Sequence, residues 1–196
     1  MASSSSSSNP RWIHDVFINF RGQDTRKNIV SHLYAALSNA GINTFLDNEK
    51  LRKGRELGPQ LLKAVEVSQI AIVVFSKSYT ESSWCLDELV QIVECHKSFG
   101  QVILPVFYNV DPSVVRNQKG GFGKALRSTA KRRISGLPEF KLRKEHVVSG
   151  WRNALTLAAN LSGWDVNNCR YINAFPNNLF ILLITFLNGS ANIMNF

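Results

Sequence analysis

Cysteine is scarce in this chain. Three cysteines (Cys85, Cys95 and Cys169) in 196 residues exclude a disulfide-dense secreted scaffold and a four-cysteine zinc site within one chain. Long apolar runs are missing too: the stretch from Leu179 to Leu187, broken by one threonine, is about half of what a membrane span needs. The N-terminal MASSSSSSNPR has no apolar centre and lacks the layout of a secretory signal. Acidic residues are outnumbered, 14 Asp and Glu against 23 Lys and Arg, for a formal charge of +9. Apolar residues are plentiful. At 44% they suffice for a packed core and are too many for a disordered chain. The expectation is a soluble intracellular protein with reduced thiols, built as one compact domain plus extensions.

The excess charge sits in one place. Residues 1–115 hold eleven basic and eleven acidic side chains, and residues 153–196 hold one of each. Residues 116–152 carry eleven basic groups, Lys131, Arg132 and Arg133 among them, against only Glu139 and Glu145. Such a field can attract nucleic acid, an anionic nucleotide or an acidic partner. Few aromatics interleave with these cations, so no base-stacking platform is indicated. The plainer reading is a solvated helix face followed by a loop.

Residues 1–11 read as a flexible serine-rich leader. The domain spans 12–166. Asp15 to Phe20 is β-rich with one polar interruption, and Asp24 reads as the N-cap of a helix. Ile29, Leu33, Ala36, Leu37 and Ala40 recur at helical spacing before Gly41 closes that helix. Ile42 to Leu46 is a second strand, and Asp47 to Gly58 a charged loop suited to a mobile lid over an anionic ligand. Pro59 opens a short helix with Leu61, Leu62 and Val65 on its apolar face. Ile70 to Phe75 is apolar throughout, as a strand covered on both faces must be. Ser82 or Ser83 caps a helix reaching about Cys95. Val102 to Phe107 is a fourth strand, with Pro105 pointing to an edge or bulge. Asp111-Pro112 marks a turn, helices follow around 121–133 and 144–162, and Trp164 to Val166 forms a short last strand. Alternating strands and helices with long crossovers predict an α/β fold, a parallel sheet with helices on both faces. Ligands of such sheets bind beyond the carboxyl ends of the strands. Residues 167–196 break the pattern: apolar all round between Leu179 and Leu187, they form a divergent tail that calls for burial, a partner or protection from aggregation.

Candidate chemistry is sparse. Arg21-Gly22-Gln23-Asp24 lacks the spacing of a phosphate loop, and no GxGxxG follows a strand. The four histidines share no metal-ligand spacing, so no metal site is expected. Cys85 and Cys95 read as buried small hydrophobes. On the helix after the third strand, Leu86, Leu89, Val90 and Val93 cluster on one face. Trp84 and Glu88, four apart, are placed together near the opposite, outward face. Two readings stay open there: a stacking surface for a planar ring beside an acid, or a partly exposed tryptophan next to a solvated glutamate.

Taken in order, HDVFINFRGQDTR, SHLYAAL, GINTFLD, AIVVFS, SSWCLDEL, VILPVFYNVDPSVVRNQ, WRNAL and SGWDV resemble the plant type of Toll/interleukin-1 receptor (TIR) domain over about residues 12–166. The resemblance implies a flavodoxin-like fold with a five-stranded parallel sheet. It also implies cleavage of NAD⁺ or NADP⁺ between nicotinamide and ribose, yielding nucleotide signals for plant innate immune defence and cell death. No cofactor is implied, the dinucleotide being substrate. The glutamate of the W-C-x-x-E motif is Glu88, the catalytic residue by this resemblance. Arg21 and Gly22 of FRG, Asp47, Arg52, Ser82 and Trp84 would surround the substrate. Ser31 and His32 would form a self-association surface, and other TIR-domain immune receptors would be partners. Asn19 stands where the family usually has serine, and the apolar tail replaces a charged amphipathic helix. The chain therefore reads as a TIR-only or truncated relative, expected in the cytoplasm and, given its basic clusters, also compatible with the nucleus. Two other functions compete with an oligomerisation-dependent enzyme: a non-catalytic adaptor or decoy for TIR receptors, and, ranked last, nucleic-acid contact through 116–152, whose mark would be steep salt dependence.

Overall fold

A computed structural model of the chain describes residues 12–46, 59–134 and 140–166. Five parallel strands form its centre: β1 (His14–Phe20), β2 (Thr44–Leu46), β3 (Ser68–Phe75), β4 (Val102–Phe107) and β5 (Trp164–Asp165), in the order β2-β1-β3-β4-β5. The helices are α1 (Gly22–Thr25), α2 (Ser31–Asn39), α3 (Pro59–Glu66), α4 (Ser83–Phe99), α5 (Pro112–Asn117), α6 (Gly120–Ile134) and α7 (Phe140–Asn160). This strand order is flavodoxin-like, with its switch point between β1 and β3. The order in which strands are added reverses there while all of them stay parallel, and in such sheets the loops after the two strands diverge at that point and leave room for a ligand.

The strand residues divide by parity. Phe17, Ala71, Val73, Phe75, Ile103 and Phe107 join one core with residues of α3, α4, α6 and α7. Val16, Ile18, Phe20, Ile70, Ile72 and Val74 join another with Ile29, Val30, Leu33 and Leu37. Burial on both faces explains why Val16–Phe20 of β1 and Ile70–Phe75 of β3 carry almost no polar residue. Asn19 is the exception within the buried run of β1, opposite Val73 of β3 and fully buried.

Several sequence expectations need correction. Asp24 is not an N-cap: Arg21 occupies that place, and Asp24 lies inside α1 with its carboxylate turned to other partners. The first helix is not continuous, because Arg26–Val30 forms a π-turn with Asn28 at non-helical φ −117° and ψ −113°. Helical spacing survives the kink, so the apolar pattern did not reveal it. Gly41, at φ 74°, does close α2, while β2 begins only at Thr44. Asp111-Pro112 opens α5 rather than a simple turn: Asp111 caps it by accepting the Ser113 N–H at 2.7 Å, with proline in the first turn.

Pro105 occupies an edge-like position, as its missing N–H requires. β5 pairs only with Val106 and Phe107, so β4 has no β5 partner at the proline. Gly163 packs against it so closely that a Cβ there would lie 2.4 Å from the Pro105 carbonyl oxygen. The lid expected over 47–58, and the tail after 166, lie outside the described residues.

Candidate functional site

The rim at the switch point is assembled from the ends of β1 and β3 and the start of α4. After β3 the chain makes a 3₁₀ turn, Tyr79–Glu81, and Ser82 then caps α4 in an extended conformation. Its Oγ accepts the Cys85 N–H at 3.3 Å, which sets the direction of the helix. The expected capping role of Ser82 is therefore observed. α4 runs to Phe99, one turn beyond the expected end.

Glu88 is not on an outward face. It is 3% exposed, whereas Trp84, one turn earlier, is half-buried. Cys85, Leu86, Leu89, Ile92, Val93 and Cys95 are buried with Glu88, so the buried arc covers roughly half the helix circumference at 100° per residue. The narrower stripe inferred from leucine and valine alone failed because α4 is wedged between the sheet and neighbouring helices. Its solvent side is marked instead by Glu94. The two cysteines are buried as expected.

A buried carboxylate is costly unless hydrogen-bonded. Here Asn19 Nδ2 donates to Glu88 Oε2 at 2.8 Å and to the Cys85 carbonyl at 3.3 Å. The Tyr79 hydroxyl donates to Asn19 Oδ1 and lies 3.0 Å from the Cys85 carbonyl. Burial pushes the Tyr79 hydroxyl well above its ordinary 10, and the nearby Cys85 and Glu88 add to the rise against the opposing bond to Asn19. Tyrosine therefore stays a donor. Asn19 and Tyr79 were not among the residues expected here. The available signal was the one polar residue within the apolar run from Val16 to Phe20.

Arg21 sits at the same rim, in extended conformation at the end of β1. Its guanidinium donates to Asp24, to Ser78 Oγ at 3.0 Å, to Gln23 Oε1 at 2.7 Å and to Glu81 Oε2 at 3.1 Å. Asp24 also accepts the hydroxyls of Ser76, at 2.6 Å, and Ser78. Burial disfavours its charge, but the two serines and Arg21 outweigh burial and hold its carboxyl below the ordinary 3.8. Arg21 is thus an organised strut joining the ends of β1 and β3. Gly22 begins α1 beside it.

Behind the site, Trp151 of WRNAL donates its indole N–H to Asp87 Oδ1 at 2.9 Å, tying α7 to α4 next to Glu88. Burial raises the Asp87 carboxyl despite that bond and Arg133. Ser31 and His32 are exposed on α2, away from the rim elements. Asp47 and Arg52 lie outside the described residues. Among the described residues, no group of three or more His, Cys, Asp or Glu is placed to hold a metal ion. No helix there is long and apolar enough to cross a membrane.

The sheet order, the FRG rim and a buried glutamate four residues after the tryptophan of α4 define a TIR domain, and the sequence model of the TIR domain family matches residues 13–192. The chain belongs to the TIR-domain family. It is 51% identical over 166 residues to TMV resistance protein N of Nicotiana glutinosa, covering 83% of this chain and 13% of that protein. It is 48% identical over 171 residues to Disease resistance protein RPV1 of Vitis rotundifolia, covering 87% of this chain and 11% of that protein. Among solved structures, the TIR domains of the activated Roq1 resistosome, which directly recognises the pathogen effector XopQ, superpose with a TM-score of 0.70. That pair is 39% identical, covering 89% of this chain and 98% of the other. The chain is therefore a TIR domain of the kind carried by plant disease resistance proteins, and spans about an eighth of the length of the curated relatives it matches.

Proposed function

We propose that this domain, when copies associate, cleaves the bond between nicotinamide and ribose in NAD⁺ or NADP⁺, with Glu88 as the catalytic carboxylate. The observation that carries this reading is a buried, hydrogen-bonded glutamate at the switch point of a parallel sheet, where core packing alone would select an apolar residue. The chemistry suits a single acid. As the C1′–N bond breaks, its electron pair stays on nicotinamide, which leaves neutral. The ribose takes on oxocarbenium character, which a nearby carboxylate stabilises. Water then adds to C1′ and releases a proton. Trp84 offers a planar surface for a ring. Arg21 would meet phosphate by exchanging its bond to Glu81, whose side chain is 48% exposed. Asp47, Arg52, Gly22 and Ser82 complete the site on the family resemblance, and Ser31 and His32 the self-association surface. The nucleotide products would serve plant immune defence in the cytoplasm, and in the nucleus if the chain enters it, with other TIR receptors as partners. A TIR domain within a resistosome is what association of copies would require.

One observation favours a second reading. Arg21 is already held by protein carboxylates, as suits a non-catalytic adaptor that only docks with TIR receptors. Glu88→Ala separates the two. NAD⁺ loss by concentrated protein is expected to vanish in the variant while its circular dichroism stays wild-type. Equal rates in both proteins remove the enzymatic reading.

A further inference from the structure

Asn19 is completely buried, yet neither end of its amide is idle. The carbonyl oxygen receives the Tyr79 hydroxyl, and the amino group faces Glu88 Oε2 at 2.8 Å and the Cys85 carbonyl at 3.3 Å. An ionised Glu88 and the Cys85 carbonyl can only accept, so both call for the amino end that they meet. Turning the amide over would set oxygen against carboxylate and take the donor away from the Cys85 carbonyl. We propose that Asn19 is the positioning residue of Glu88, its amide oriented by Tyr79, so that the carboxylate is aimed from β1 before any substrate arrives. This rests on the reading of Glu88 as the catalytic carboxylate.

Three elements take part. β1 supplies the amide, the 3₁₀ turn after β3 supplies the hydroxyl, and α4 supplies the carboxylate. The Tyr79 ring is itself placed by an edge contact with Phe75, 5.0 Å between centroids, so the hydroxyl is anchored from the strand. With Oε2 held by a charge-assisted bond, the carboxylate plane loses a rotation that would otherwise be frozen only in the transition state. Serine, usual at this position in the resemblance, is one atom shorter and has one hydrogen. It cannot bond both Glu88 and the Cys85 carbonyl as donor. Tyr79 is coupled by charge to both Glu88 and Cys85, and the Cys85 thiol donates to the Phe20 carbonyl at 3.2 Å. β1 adds an amide without charge.

The test reads Glu88 directly. The full chain is labelled at glutamate side-chain carboxyl carbons, and the Glu88 signal is identified by its loss in Glu88→Gln. Asn19→Leu keeps the side chain's size and removes both polar ends. The titration midpoint of Glu88 is expected to rise by about one pH unit, tenfold in proton affinity, because the ionised form loses its donor. Tyr79→Phe keeps the ring and is expected to move the midpoint the same way by less. Either variant, folded and with Glu88 titrating at the wild-type midpoint, overturns the proposal. Turnover supplies a second arm: Asn19→Leu is expected to lower kcat for NAD⁺ by about tenfold with little change in KM. An unchanged kcat overturns the proposal equally. Carboxyl titration needs no turnover. Wild-type protein that ignores NAD⁺, with the midpoint still shifted in Asn19→Leu, would remove the enzymatic reading while leaving Asn19 as the group that holds Glu88.

Discussion

At Asp24 three donors outweigh burial, and the consequence for stability has a definite sign. Its carboxyl titrates below 3.8 in the folded chain, so the ionised form is bound more tightly in the native than in the unfolded state. The contribution is complete above the unfolded value and is lost as pH falls through the folded one. Asp24→Asn is therefore expected to lower unfolding free energy by roughly 1–2 kcal/mol at pH 7. The gap to wild type should narrow as pH falls below the ordinary 3.8, between pH 7 and about pH 2. Urea unfolding at the two pH values measures both quantities, and a gap that persists in acid contradicts the account. Nothing in the sequence marked Asp24 for this task. Its position suggested a cap, whereas its partners Ser76 and Ser78 come from a loop some fifty residues away. Glu88 was legible as a residue of interest and misplaced in space. Asn19 was legible as an anomaly and had no assigned partner.

Among the elements, strands were the more readable. β3 and β4 match their apolar runs because a buried parallel strand can carry little else. The orientation of α4 was harder: its arc is set by neighbours on several sides, and hydrophobicity counts only the residues that are apolar. Leu86 and Leu89, fully buried, contribute about 2 kcal/mol each to holding it. The junction of β4 and β5 is the tightest test at this scale. A methyl group on residue 163 would come 2.6 Å from the Pro105 ring and 2.4 Å from its carbonyl oxygen, a backbone atom with little room to yield. Gly163→Ala is expected to cost about 1–3 kcal/mol, with faster amide exchange at Val166, which donates to the Phe107 carbonyl at 3.0 Å. Wild-type stability and exchange would show that β5 is not held by this contact.

For the molecule as a whole, charge and association pull in opposite directions. Two copies each bearing +9 repel, and salt within the physiological range screens that repulsion. If catalysis needs paired copies, the rate of NAD⁺ loss per molecule should rise with protein concentration, and at fixed concentration with moderate salt. His32→Ala, an exposed change on α2, should flatten the concentration dependence without altering the fold. A rate per molecule independent of concentration would reject association as the trigger. Loss of the effect in salt would point instead to capture of an anionic polymer by the basic stretch.

Composition and periodicity alone were enough to settle that this is an α/β domain on a parallel sheet, because strands buried on both faces and long crossovers leave few other arrangements. The ordered motifs identified the TIR family, since their residues are short-range signatures that survive without coordinates. Only the tertiary structure decided that Glu88 faces inward onto Asn19 and Tyr79, and that Arg21 is clasped by Asp24 and Glu81. Those contacts join residues three to sixty-nine positions apart, and most of the distances are set by how sheet and helices pack rather than by any local preference of the chain.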